Sequence, residues 1–122
     1  MTVGSLFARS KKFVLIKERR KQMDQFQVID HCLMVKLPQE LDHYQAGYFS
    51  READSFLLRP EVCHVVFDFE DTEFMDSSGI GIIMGRYKKV APLGGKIYAI
   101  NVGKQVARIL ELSGMSRLVE VL

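Results

Sequence analysis

One short segment carries the residue types that phosphoryl chemistry requires, and it consists of Asp76-Ser77-Ser78-Gly79. The apolar periodicity that follows predicts a helix beginning here. The first turn of a helix presents backbone N–H groups and the positive end of the helix dipole, a position that suits a phosphate. Ser77 would lie at the beginning of this helix, where a kinase could reach it. The same polar residues are also typical of an ordinary helix N-cap, and on residue chemistry alone the cap is favoured.

Three glycines, Gly79, Gly81 and Gly85, crowd the first three turns of this predicted helix. Glycine inside a helix costs roughly 1 kcal/mol relative to alanine. We therefore expect another part of the protein, or a partner, to approach the backbone closely there. Close packing of the helix on a sheet is the simpler explanation and is sufficient for Gly81 and Gly85.

Ile82 and Arg86 are four residues apart and fall outside the predicted core stripe of the same helix. That stripe consists of Ile80, Ile83, Met84 and Tyr87. We expect an exposed apolar and cationic pair beside Ser77. A single exposed isoleucine is common, but next to a modifiable serine it is a candidate contact with a partner protein.

The cysteines and histidines do not indicate a metal site. Cys32 and Cys63 fall in apolar, strand-like segments, which favours reduced, buried thiols over a disulfide in a chain without an evident export signal. His31 and His64 stand beside them, but the closely spaced ligand pairs of zinc sites are missing. No other residue requires a cofactor, so none is predicted.

The elements that must position these residues alternate between strand and helix, in the order β-β-α-β-α-β-α-β. A hairpin turning at Asp30 is predicted first, and Asp42 is a predicted helix N-cap with Gln45 in the capping-box position. Strands are predicted at 25–29, 31–37, 61–69, 96–101 and 118–122. The pattern predicts an α/β single domain with a mixed, mostly parallel sheet of four to five strands and packed helices.

Charge divides the chain into a basic arm and an acidic domain. Residues 1–22 carry seven Lys or Arg against Glu18 alone, a balance of +6, whereas residues 23–122 carry ten against fourteen acidic residues, a balance of −4. We expect a solvated, disordered arm or, alternatively, a start codon assigned too early, with Met23 as the first residue. The acidic domain argues against nucleic acid as a direct partner. With no bilayer-spanning apolar run, we expect a cytoplasmic protein without a membrane partner.

The segment 75–81, Met-Asp-Ser-Ser-Gly-Ile-Gly, and the segment 85–88, Gly-Arg-Tyr-Lys, closely resemble the signature of the sporulation-type anti-anti-sigma factors. These are STAS domains, named for sulphate transporters and anti-sigma factor antagonists. Further matches lie at 40–43, 94–95 and 112–114. The resemblance runs from about Gln25 to Leu122 and implies the STAS fold for nearly the whole acidic domain.

The resemblance implies a switch and not an enzyme. The family's phosphorylated serine directly follows the aspartate and corresponds to Ser77, and Asp42 matches an aspartate near that serine. An unphosphorylated member, as a monomer or weak dimer, binds an anti-sigma factor that is also a serine kinase and so frees a sigma factor for transcription. When the kinase phosphorylates the serine from ATP, the complex dissociates. A serine phosphatase then returns the antagonist to its unphosphorylated form. The expected partner-binding residues are Asp42, Asp76, Ser77, Ser78, Gly79, Ile82 and Arg86.

Three alternatives remain open. A hydrolase using Ser77 as nucleophile is a weak rival, because the chain has no P-loop, kinase signature or G-x-S-x-G elbow. A STAS module in another signalling circuit, such as a stressosome-like scaffold or a transporter regulator, would share the fold but differ around Ser77. Nucleotide binding at the same loop is the third, although no residue demands it.

Overall fold

A β-hairpin opens the part of the chain that the computed structural model describes, residues 25–122. Strand β1 (Phe26–Ile29) pairs antiparallel with β2 (Cys32–Lys36). The two residues between them, Asp30 and His31, have φ values of 49° and 67°. Two left-handed residues make the turn whose twist matches that of a hairpin, which confirms the predicted turn at Asp30. The predictions for the basic arm and for a start at Met23 lie outside the described residues.

Three further strands extend the hairpin into a parallel sheet. They are β4 (His64–Asp68), β6 (Ile97–Ile100) and β7 (Val119–Val121). The strand order is β1-β2-β4-β6-β7, and every pair after the hairpin is parallel. The predicted α/β fold with a mixed five-stranded sheet is confirmed. The central strands are apolar at nearly every position because the side chains of both faces are buried.

Three helices connect the parallel strands and pack on one face of the sheet. They are α1 (His43–Leu57), α2 (Ser77–Val90) and α3 (Lys104–Leu112). The apolar stripe predicted for α1 is confirmed at Ala46, Phe49 and Ala53, which join the core, with Phe56 and Leu57 half-buried against it. Short 3₁₀ turns follow α2 and α3, at Ala91–Leu93 and Met115–Arg117. No helix of residues 25–122 is both long enough and apolar enough to cross a membrane.

The opposite face of the sheet carries a second, smaller apolar cluster. Its members alternate along the strands with the side chains that face the helices: Cys32, Met34, Val66, Tyr98 and Ile100. Both cysteines are free thiols, but only Cys32 is buried as predicted, because Cys63 lies in the exposed turn before β4. The strand predicted at 61–69 begins three residues later than expected.

Candidate functional site

A small parallel sheet sets the beginnings of α1 and α2 side by side. Strand β3 (Glu40–Leu41) pairs with β5 (Phe74–Met75), with Leu41 opposite Met75. One residue follows each strand before its helix begins: Asp42 precedes α1 and Asp76 precedes α2. The Asp76 N–H donates to the Leu41 carbonyl at 3.4 Å. The expectation that Asp42 lies near the serine loop is therefore met at the level of the backbone.

Both aspartates cap their helices through their side chains. Asp42 Oδ1 accepts a hydrogen bond from the Gln45 N–H at 2.9 Å, and Asp76 Oδ1 accepts one from the Ser78 N–H at 2.7 Å. The two residues have nearly the same extended backbone, with φ/ψ of −95°/−177° and −97°/−170°. The predicted caps are confirmed. The start of α2 thus already holds a carboxylate on its positive end.

Ser77 is the first residue of α2 and is exposed, whereas Ser78 is half-buried and Gly79 is buried. The helix therefore presents the Ser77 hydroxyl outward, beside the capping carboxylate of Asp76. No hydrogen bond joins Ser77 to a histidine within residues 25–122. His43 is exposed at the first position of α1. In the described residues, the neighbour that the structure places directly beside Ser77 is thus the capping carboxylate of Asp76.

The three glycines of α2 have different surroundings. A side chain at Gly79 would collide with Met75 and approach Leu41 Cδ2 to 3.2 Å, so only glycine lets the helix start rest on the small sheet. At Gly81 and Gly85 an added Cβ would meet no atom within 4 Å apart from the adjacent residues and the nearby backbone of α2 itself. Packing on the sheet therefore does not explain these two glycines. Gly81 and Gly85 follow Ser77 at four-residue spacing, which puts all three along one side of the helix.

The prediction that Ile82 and Arg86 form an exposed pair is wrong. Ile82 is 1% exposed and Arg86 is 6% exposed. Because α2 packs against α1 as well as against the sheet, its buried arc is wider than one apolar stripe and includes both residues. Both belong to the interior of the fold, and neither is available as an outward contact beside Ser77.

Arg86 is buried because α1 supplies a counter-charge. Its Nε lies 2.9 Å from Asp54 Oδ1, and its Nη2 donates to Asp54 Oδ2 at 3.5 Å. Lys89 Nζ lies 3.1 Å from the same Oδ2. Burial lowers the pKa of Arg86, and the Asp54 charge opposes that shift. The arginine thus ties α2 to α1 through a shared carboxylate, a role that spacing within one helix could not reveal.

The acidic residues before α2 are largely engaged by neighbouring groups. Asp68 is 1% exposed at the end of β4, and its Oδ1 accepts from Asn101 Nδ2 at 2.9 Å. Lys36 Nζ lies 3.5 Å from Asp71 Oδ2, and Gln39 donates to Glu73 at 2.8 Å. Asp76 directly precedes Ser77, and its carboxylate caps the helix that begins at the serine.

Sequence reasoning missed two exposed aromatic side chains at the two helix starts. Phe74 is 54% exposed in β5, and Tyr44 is 84% exposed at the second position of α1. Phe74 and Met75 are both apolar, and a two-residue strand is too short to show a period, so the sequence did not distinguish the exposed side chain from the buried one. Exposed aromatic rings are typical anchors of protein–protein contacts.

Comparison with known proteins identifies the fold family. A family model described as the STAS domain matches residues 25–122. The chain belongs to the STAS domain family. Among its relatives is an "Anti-sigma F factor antagonist" of Paenibacillus polymyxa, 35% identical over 89 residues, which covers 73% of this chain and 76% of the relative. The resemblance to antagonist-type STAS domains is thus confirmed.

Solved structures agree with this STAS assignment. The unphosphorylated form of the anti-sigma factor antagonist SpoIIAA superposes with a TM-score of 0.70 at 25% identity, covering 80% of this chain and 87% of that one. The phosphorylated form of the Bacillus cell fate determinant SpoIIAA gives 0.64 at 24% identity, covering 80% and 90%. The second likeness, at lower identity, concerns the fold alone.

Proposed function

We propose that this STAS domain is an anti-sigma factor antagonist that phosphorylation of Ser77 inactivates. In its unphosphorylated form it binds an anti-sigma factor with serine kinase activity, and the sigma factor is thereby released to activate transcription. The kinase phosphorylates Ser77 from ATP and the complex dissociates. A serine phosphatase restores the binding form.

The observation that carries this proposal is the exposed Ser77 at the start of α2, beside the capping carboxylate of Asp76. A phosphate adds between one and two negative charges near neutral pH. Because Asp76 already holds the Ser78 N–H, the new group would meet a like charge at the helix start. It would extend from the surface and block a partner matched to the bare hydroxyl.

The surface beside Ser77 supports binding of a closely fitting partner. Gly81 and Gly85 each cost the helix stability, and no internal contact explains them. A partner segment lying on the α2 backbone would explain both. Exposed Phe74 and Tyr44 supply aromatic contacts at the two helix starts. The names of the relatives, which are anti-sigma factor antagonists, supply the class of partner.

Phosphorylation by the anti-sigma kinase tests the switch. The protein is incubated with the kinase and ATP, and its intact mass is followed. We expect one added phosphate, absent in Ser77→Ala and retained in Ser78→Ala, the matched control at the neighbouring hydroxyl. A phosphate that persists in Ser77→Ala would contradict the assignment of the site. If neither phosphate nor complex forms, a STAS module of another circuit becomes the better description.

A charge substitution tests the consequence of modification without the kinase reaction. Ser77→Asp adds a negative charge beside Asp76 and is expected to weaken the complex at least tenfold, measured by calorimetry. Ser77→Asn, of similar size but neutral, is the control and should retain most of the affinity. Equal affinities of the two variants would show that charge at this position does not govern binding.

A further inference from the structure

The first residues of α1 and α2, His43 and Ser77, occupy equivalent positions in the fold. Each follows a capping aspartate at the end of a strand of the small sheet, and these two strands pair in parallel. Neighbouring strands lie about 4.8 Å apart. Because Asp42 and Asp76 have nearly the same backbone angles, the two helices leave the sheet side by side. The paired strands therefore bring an imidazole and the candidate phosphorylation site onto adjacent segments of the chain.

His43 lies on the side of α1 that faces α2. Positions 43 and 54 are about three full helical turns apart, so His43 and Asp54 lie on the same side of the helix. Asp54 contacts α2 directly, through ion pairs with Arg86 and Lys89. His43 is also exposed. Its imidazole is therefore free to turn towards a group attached to the first residue of α2.

We infer that His43 holds the phosphoryl group of phosphorylated Ser77 across the space between the two helix starts. The inference rests on the proposed function, because it concerns the form in which Ser77 is phosphorylated. A phosphoserine extends farther from the backbone than the bare hydroxyl and carries between one and two negative charges near neutral pH. An imidazolium donates to such a group through a charge-assisted hydrogen bond. Held in this way, the phosphate joins α2 to α1 and occupies the surface between them.

The carboxylates around the two helix starts create the need for this cation. Asp42 and Asp76 each place a carboxylate at a helix start, where it accepts a backbone N–H. Glu40 belongs to β3, and Glu73, which directly precedes β5, accepts from Gln39. These negative charges favour a protonated imidazole and oppose the second ionisation of a phosphate. A phosphate placed among them is stabilised by a cation beside it.

Other basic side chains of residues 25–122 fit the contact less well. Arg51 and Lys88 lie about 12 Å and about 16 Å along α1 and α2 from the first residues of those helices. Lys36 is engaged in ion pairs with the acidic loop that precedes β5. Lys104 begins α3, which contacts β5, and it is the rival holder of the phosphate. The histidine is preferred because β3, which precedes it, pairs directly with β5.

NMR of the full chain with phosphoserine incorporated at position 77 tests the inference. Because the modification is introduced during synthesis, the result does not depend on whether an anti-sigma kinase modifies Ser77. At neutral pH, the ring nitrogen resonances of His43 should move towards imidazolium values relative to the unmodified chain. His31 and His64, beside the start of β4 at the other end of the sheet, are internal controls and should not change.

Two further comparisons separate this contact from a general effect of charge. Phosphoserine at the exposed Ser116, in the turn before β7, should leave His43 unchanged. A phosphorus NMR titration gives the reciprocal readout, because an adjacent imidazolium favours the dianion. His43→Gln should raise the second pKa of the phosphoserine at position 77 by about 0.5 or more. Lys104→Gln should leave that pKa unchanged, whereas a purely structural role of His43 would not affect it.

Unchanged His43 resonances in the phosphoserine form would overturn the inference. A phosphate titration that responds to Lys104→Gln and not to His43→Gln would also overturn it. The first readout uses the unsubstituted chain, so it does not depend on the folding of a variant. If His43 responds although the kinase leaves Ser77 unmodified, the contact is supported and the proposed switch is refuted. If the kinase modifies Ser77 and His43 does not respond, the contact alone is refuted.

Discussion

The starts of α1 and α2 are two versions of one arrangement. Each follows a strand of the same small sheet, and Asp42 and Asp76 cap them with almost the same backbone angles. After the cap, α1 continues with His-Tyr-Gln and α2 with Ser-Ser-Gly. The arrangement itself is therefore structural. The difference in side chains is what makes the start of α2, and not that of α1, the candidate for modification.

The third position of each helix shows this difference most directly. In α1 it is Gln45, whose side chain is half-buried, and in α2 it is Gly79, which is buried against Met75 and Leu41. Because Gly79 has no side chain, the first turn of α2 packs closely against the small sheet, and Ser77 lies on the outer side of the helix. A bulkier third residue would have to push the serine away from this position.

The largest effect is expected from restoring a side chain at the third position of α2. Gly79→Val should destabilise the fold by about 2–3 kcal/mol, because the new methyl groups overpack against Met75 and Leu41. Chemical denaturation measures the change. The matched substitution Gln45→Val in α1 should cost less than about 1 kcal/mol. Equal losses in the free energy of unfolding at the two positions would contradict the claim that α2 packs more closely on the small sheet than α1.

An intermediate effect is expected from removing the caps. Asp76→Ala and Asp42→Ala should each cost about 1 kcal/mol, because each leaves a helix N–H without its side-chain acceptor. Asp76→Asn and Asp42→Asn keep an acceptor and should cost little. The similar geometry predicts equal losses within about 0.5 kcal/mol in urea titrations. A much larger loss at one helix would break the equivalence of the two caps.

The smallest effect on stability is expected at helix glycines that have room for a methyl group, and one of them should also affect binding selectively. Gly81→Ala should stabilise the fold by about 0.5–1 kcal/mol, because no atom opposes the new methyl group. Gly47→Ala in α1, which meets only the flexible end of Arg51, should do the same. Only Gly81→Ala is expected to weaken anti-sigma factor binding, by fivefold or more. Unaltered binding would remove α2 from the proposed contact surface.

Periodicity and local turn chemistry were enough to predict most of the fold. The hairpin at Asp30, the caps at Asp42 and Asp76 and the alternation of strands with helices all depend on residues close in sequence. The sheet of β3 and β5 was not predicted, because two-residue strands carry no period. The buried position of Cys32 was predicted, while Cys63 was placed in a strand that begins only after it.

The candidate site was predictable where it depends on one helix start, and it was not where two helices meet. Ser77 is exposed beside Asp76, as its position after an N-cap indicated. Arg86 was expected in solvent, because it falls outside the apolar stripe predicted for α2. Its counter-charge, Asp54, lies 32 positions away on α1 and became visible only when the packing of the two helices was known. Ile82 was misplaced for the same reason.

The order of strands in the main sheet, β1-β2-β4-β6-β7, is also their order along the chain. Each strand that leaves the ribosome therefore finds its neighbour already synthesised, and none has to be inserted between two earlier ones. The hairpin, whose closure is local, forms the template, and each later helix–strand unit extends it from the same side. The loop that holds Ser77 emerges after β4, when three of the five strands of the main sheet have already been synthesised.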